Sequence, residues 1–231
     1  MSHWWAYPIT DVIPFSLSVY IRFLVSYGKA MWPWQLVGLV VAAIVVRQML
    51  GSKIPNQPPT RLLILLGMAW LAVAGLFFYQ RYTALFWAGS YFAVLFVVQG
   101  LLLLGLVATG AHRNINRASE TKTFAAALLF GASVFGYPLV AWLFLDIRGS
   151  MTEVFGLFPD PTVSATLAAL AGYSGSLRWI AMIVPIIWCA VQTTIGTALA
   201  MPTMVALPAL ACLSLIVAVG PRRDKDTSAS S

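Results

Sequence analysis

Residues 84–109, ALFWAGSYFAVLFVVQGLLLLGLVAT, contain no charged side chain. A stretch of that length has few folded solutions. In water it must be covered on every side, whereas a helix of about 20 apolar residues crosses the ~30 Å hydrocarbon core of a bilayer. The pattern recurs along the chain. Charged residues make up 9% of the 231 positions and hydrophobic ones 60%, against about 25% and 45–50% in soluble domains. That excess exceeds what one soluble core can hide. An all-α, polytopic transmembrane helical bundle is expected.

The apolar runs predict seven spans, at about Trp34–Leu50, Leu62–Tyr79, Ala84–Thr109, Thr123–Leu145, Thr162–Tyr173, Leu177–Leu199 and Thr203–Val219. The break GSKIPNQPPT after the first holds three prolines and a glycine, which no helix tolerates together. Residues 11–31 read differently. Ser18, Arg22, Ser26 and Lys29 recur at helical spacing and give one polar stripe. An amphipathic helix lying in the interface is expected there, with Pro14 in its first turn. The opening MSHWWAYPIT lacks the basic and apolar regions of a signal peptide, so the first span is expected to be its own insertion signal. The tail GPRRDKDTSASS is polar and small, a composition expected to stay disordered. The expected organisation is an extracytoplasmic segment at 1–33, the seven-helix domain at 34–219, and a cytoplasmic tail at 220–231.

The fifth span is short. Twelve residues reach about 18 Å, so the segment could instead be re-entrant. Seven crossings place ten basic residues, among them Arg113, Arg117, Lys122 and Arg178, on one side, and Arg22, Lys29, Arg81 and Arg148 on the other. A turned-back fifth element would leave six against eight. Basic residues favour the cytoplasm, which selects seven crossings in a cytoplasmic (inner) membrane, N-terminus outside and C-terminus inside. Tryptophan agrees: Trp4, Trp5, Trp32, Trp34, Trp87 and Trp142 fall near the outer interface, and only Trp70 and Trp188 are mid-span. Ser164, Ala165, Ala168, Ala169, Ala171 and Gly172 make the fifth helix one that neighbours can approach closely.

Little catalytic chemistry is written in the chain. It has no P-loop, dinucleotide fingerprint, CxxC or HExxH. His3 and His112 fall on opposite sides, so no shared metal or haem is expected, and no cofactor. Cys189 and Cys212 lie in apolar runs and read as small packing residues. The net charge of +7 is expected to meet anionic lipid rather than nucleic acid. No Asp, Glu, Lys or Arg lies deep in a predicted span, which counts against a proton-coupled pump.

The intramembrane polar residues include Gln99, Tyr137 and Gln192. They could line a solute pocket, but interhelical hydrogen bonding accounts for glutamines equally well. Pro138 and Pro185 each remove a backbone hydrogen bond and can kink their spans. In FGLFPDP, at 155–161, Asp160 sits between two prolines. Asp-Pro-Thr reads as a helix N-cap with Pro161 at the first helical position. A solute or cation site at the outer mouth of the fifth helix is the other reading, and the two are compatible.

The chain resembles an uncharacterised bacterial family of multi-spanning inner-membrane proteins, sometimes labelled as membrane permeases. The resemblance is carried by YGKAMWPWQ (27–35), LFVVQGLLLL (95–104), GYP (136–138), FGLFPDPT (155–162) and VPIIW (184–188). It implies a compact membrane bundle and no established activity. Members of that family usually have a cysteine where this chain has Asp160, often a histidine at Gln80, and often acidic residues at Thr203 and Met204. A site built from those groups would be largely missing here. The expected function is therefore a non-enzymatic accessory or structural subunit of a larger membrane complex, with lipid and other membrane subunits as partners. The alternative is a small-solute permease working through the kinked fourth and sixth spans and the Gln99/Gln192 pair. No nucleophile–base pair supports an enzyme.

Overall fold

The computed structural model describes residues 13–51, 60–136, 139, 153–201 and 205–220. Eight α-helices account for most of them: α1 (Leu17–Ala30), α2 (Trp34–Gly51), α3 (Thr60–Ala72), α4 (Gly89–Ala108), α5 (Glu120–Gly131), α6 (Pro159–Ala171), α7 (Leu177–Ala198) and α8 (Ala206–Val219). Helices α3 and α5 run on as π-helix through Val73–Tyr79 and Ala132–Gly136. Two short strands, β1 (Asn116–Arg117) and β2 (Tyr173–Ser174), pair antiparallel.

The wide turn at the end of α3 has a local use. It points the adjacent Phe77 and Phe78 both inward. Phe77 meets Phe23 and Tyr27 of α1, and Phe78 meets Phe96 of α4 and Trp188 of α7. An aromatic cluster thus ties α1 to the body of the bundle. The polar stripe predicted for α1 is observed, with Ser18, Arg22, Ser26 and Lys29 exposed and Tyr20, Leu24 and Tyr27 buried. Pro14 lies before the helix rather than in its first turn, because Ser16 takes the N-cap position. Helices α3 and α4 touch closely through two glycines. A Cβ at Gly67 would stand 3.1 Å from the Gly100 carbonyl oxygen, and one at Gly100 would stand 3.0 Å from that of Gly67.

Helix α6 is the centre. All 13 of its residues are buried, and α3, α5, α7 and α8 pack around it. Its small residues explain why four neighbours fit: Ala165, Ala168, Ala169 and Ala171 leave room for their backbones to approach.

One end of the bundle gathers several helix termini. Helix C-termini leave carbonyls unsatisfied and carry the negative end of the dipole, so cations settle there. The Arg117 guanidinium donates to the Met49 carbonyl of α2 at 2.6 Å. Arg178 and Lys122 donate to the Ala218 carbonyl of α8 at 2.9 and 3.4 Å. Arg178 also donates to the Tyr173 carbonyl just past α6 and stacks on Trp179. These are basic residues that the charge argument places on one side.

The sequence predicts seven spans, and the count is lower by length and composition. Among the described residues, Thr60–Ala84, Gly89–Ala108 and Leu177–Ala198 are long and apolar enough to cross a bilayer. A fourth counts if α1 and α2, bent 84° from each other, are taken together. Helices α6 and α8 have 13 and 14 residues, about 20 Å each, which is short of the hydrocarbon thickness. The predicted fourth span is present as α5 and its π extension; its continuation beyond Gly136, with Pro138, lies outside the described residues, as do residues 1–12 and the tail from 221.

Candidate functional site

The predicted site residues do not converge on one place. Gln99 has a specific partner. Its amide nitrogen donates to the Ala181 carbonyl at 2.7 Å. That carbonyl would ordinarily accept from the N–H four residues later, and residue 185 is a proline without one. Gln99 therefore fills the hydrogen bond that Pro185 vacates, which is the interhelical role. Its Oε1 is buried without a partner. Gln192 lies eleven residues beyond Ala181 on the same helix, about 16 Å along its axis. The Gln99/Gln192 pair expected for a solute pathway is not formed. Tyr137 lies outside the described residues. The hydroxyls of Thr193, Thr194 and Thr197 are bonded to carbonyls one turn back in their own helix.

Asp160 is where the polar groups meet. The capping expectation needs correction: the N-cap is Phe158, whose side chain makes no capping bond, Pro159 is the first helical residue, and Asp160 the second. The reason is visible in the backbone. The N–H of Phe158 is already taken up by the Val154 carbonyl at 3.0 Å, and Pro159 and Pro161 have no N–H. The two prolines remove two of the donors that a helix start would otherwise leave unsatisfied. Asp160 still lies in the first turn, where the dipole favours its charge. Its Oδ1 accepts the indole N–H of Trp188 on α7 at 2.9 Å. The other mid-span tryptophan, Trp70 of α3, donates to Thr166 Oγ1, further along α6, at 2.9 Å. Both tryptophans thus turn their polar edge to the central helix.

Other groups surround the carboxylate. Tyr20 of α1 shares a side-chain hydrogen bond with Gln192 and lies within electrostatic reach of Asp160, as do Tyr82 and Cys189. Glu153, in the turn before α6, is 8% exposed. Burial, and then the Asp160 charge, push its carboxyl well above the usual range. Composition gives no reason to single out Glu153, since it sits in a loop segment of ordinary polarity; its proximity to Asp160 comes from the fold of residues 154–158. That turn closes on itself through Val154 and hangs from α1 by the Tyr27 hydroxyl, which donates to the Leu157 carbonyl at 3.0 Å. It also needs a glycine on α2: a Cβ at Gly38 would stand 2.6 Å from the Phe155 carbonyl oxygen.

Beside the turn, an apolar groove of about 540 Å³ runs between α2 and α3, lined by Trp34, Val37, Met68 and Leu76 among others. Among the described residues, no group of three or more His, Cys, Asp or Glu side chains could hold a metal ion. His112 instead bonds the Leu106 carbonyl at 3.1 Å and closes the end of α4.

No curated protein and no solved structure matches the chain. A model of a family of unknown function, DUF6064, matches residues 17–229, and the chain belongs to that family.

Proposed function

We propose that the protein is a non-enzymatic integral membrane protein that serves as an accessory or structural subunit of a larger membrane complex. The observation that carries this reading is the sheathing of α6. A central helix with no exposed residue leaves no passage along the bundle axis, and its polar contacts are made with neighbouring helices. A bundle closed in this way suits a scaffold. Apolar side chains such as Val94, Val98, Leu101, Ile183 and Ile187 face outward, and an exposed apolar surface of that extent suits lipid or other membrane helices.

The proposed topology has seven crossings in a bacterial inner membrane. What supports it is the alternation of helix ends: the C-termini of α2, α6 and α8 and the β1 and β2 connections meet at one end, beside Arg117, Lys122 and Arg178. Helices α6 and α8, shorter than the hydrocarbon thickness, cross under cover of longer neighbours, with the basic end cytoplasmic.

Permeation of a small solute is the second reading, favoured by the polar cluster at Asp160, Tyr20 and Gln192. Purified protein in sealed vesicles separates the two. The subunit reading expects no saturable movement of any tested neutral or ionic solute above empty vesicles. Saturable uptake by the protein alone overturns it.

A further inference from the structure

Two carboxyl groups, Glu153 and Asp160, are buried at the start of α6 on either side of the turn at 154–158. Asp160 has what an ionised carboxylate needs: the Trp188 indole N–H at 2.9 Å and the positive end of a helix dipole. Glu153 has neither. It is more than nine-tenths buried, and its carboxyl has no hydrogen-bond partner among the described residues. Like charges in a site of low dielectric cannot both be held, so one of two neighbouring buried carboxyls keeps its proton.

The remaining titratable neighbours agree. Tyr20 on α1 faces both carboxyls, Tyr82 after α3 and Cys189 on α7 face Asp160, and all three are neutral acids. Arg81 is exposed and reaches Tyr27 instead. Among the described residues, no lysine, arginine or histidine offsets the Glu153 charge.

We propose that Glu153 and Asp160 form a one-proton site, in which Glu153 carries an exchangeable proton at neutral pH and Asp160 carries the negative charge. Exchange breaks only the carboxyl O–H bond, and the proton passes to water at the exposed edge of Glu153. Such a site answers to the proton concentration on the side of the bundle where α1 lies. It does so whether the protein acts alone or in an assembly.

The sequence makes the test selective. Of seven acidic residues only two are glutamates, Glu153 and the exposed Glu120. Full-length protein labelled with ¹³C-carboxyl glutamate, in lipid nanodiscs, is titrated by infrared spectroscopy. One labelled carboxyl is expected to stay protonated at pH 7, and Glu153→Gln is expected to remove that signal. Asp160→Asn should lower its midpoint by about one pH unit, a tenfold loss of proton affinity. No protonated labelled carboxyl at pH 7, or one that survives Glu153→Gln, overturns the proposal. The wild-type titration decides even if the variants do not fold. A midpoint lowered by sodium or potassium, but not by N-methylglucamine at equal ionic strength, also overturns it by making the pair a cation site.

Discussion

Gln99 and Pro185 act on one carbonyl, that of Ala181, from opposite directions. Gln99→Leu leaves it unpaired and should cost about 1 kcal/mol, within the range of interhelical bonds in membranes. Pro185→Leu supplies a backbone N–H at the right position. The double variant should therefore lose less than the sum of the single losses in detergent thermal melts; strict additivity would contradict the assignment. Trp188→Phe removes a donor to a charged group and should cost about 1.5–3 kcal/mol, whereas Trp70→Phe, whose partner is a neutral hydroxyl, should cost about 1 kcal/mol. Glu153 adds a pH dependence. Its folded-state pKa is raised above the ordinary value of 4.5, so the folded chain binds more protons than the unfolded one between the two values. Stability from this group is complete below about pH 4.5 and falls as pH rises toward the raised value. Glu153→Gln should flatten that decline in melts taken across pH 5 to 8. At this scale the sequence is only partly legible. Gln99, Asp160 and Gln192 stand out because polar groups are scarce in apolar runs. Glu153 does not, because only the turn at 154–158 makes it a buried group.

Elements are easier to anticipate than their partners. Apolar run length locates α2, α3, α4 and α7, and the i, i+4 stripe locates α1. Periodicity carries no information on which helix sits in the middle, yet the small residues of α6 point to close neighbours, and it is the helix with every residue buried. The π turn after Ala72 is not legible, since Phe77 and Phe78 fit an ordinary apolar helix equally well. The sequence places the helix cap two residues too late, at Asp160, for a similar reason: both Pro159 and Pro161 can open a helix, and only the bond from Phe158 N–H to Val154 selects the first. Packing at the α3–α4 contact gives a test at this scale. Gly100→Val must push apart backbones now within van der Waals contact, and overpacking of this kind costs about 1–3 kcal/mol. Val substituted at Gly105 of the same helix, where a Cβ meets nothing within 4 Å, should be tolerated; equal losses at both positions would contradict the close α3–α4 approach.

For the whole molecule, helix ends and basic residues make one argument. Arg117, Arg178 and Lys122 satisfy carbonyls at one end of the bundle, and in the proposed topology that end is cytoplasmic. A reporter active only in the cytoplasm should work when fused at Ser231 and fail when fused at Ser150. An inactive Ser231 fusion would break the seven-crossing arrangement. The reading as a subunit goes further, since a closed bundle needs a reason to exist and an assembly supplies one. The most direct test is the mass of the particle in which the protein travels after mild-detergent extraction from native membranes. A large particle with stoichiometric partner proteins is the predicted result. A particle holding one or a few copies of this chain alone would contradict it.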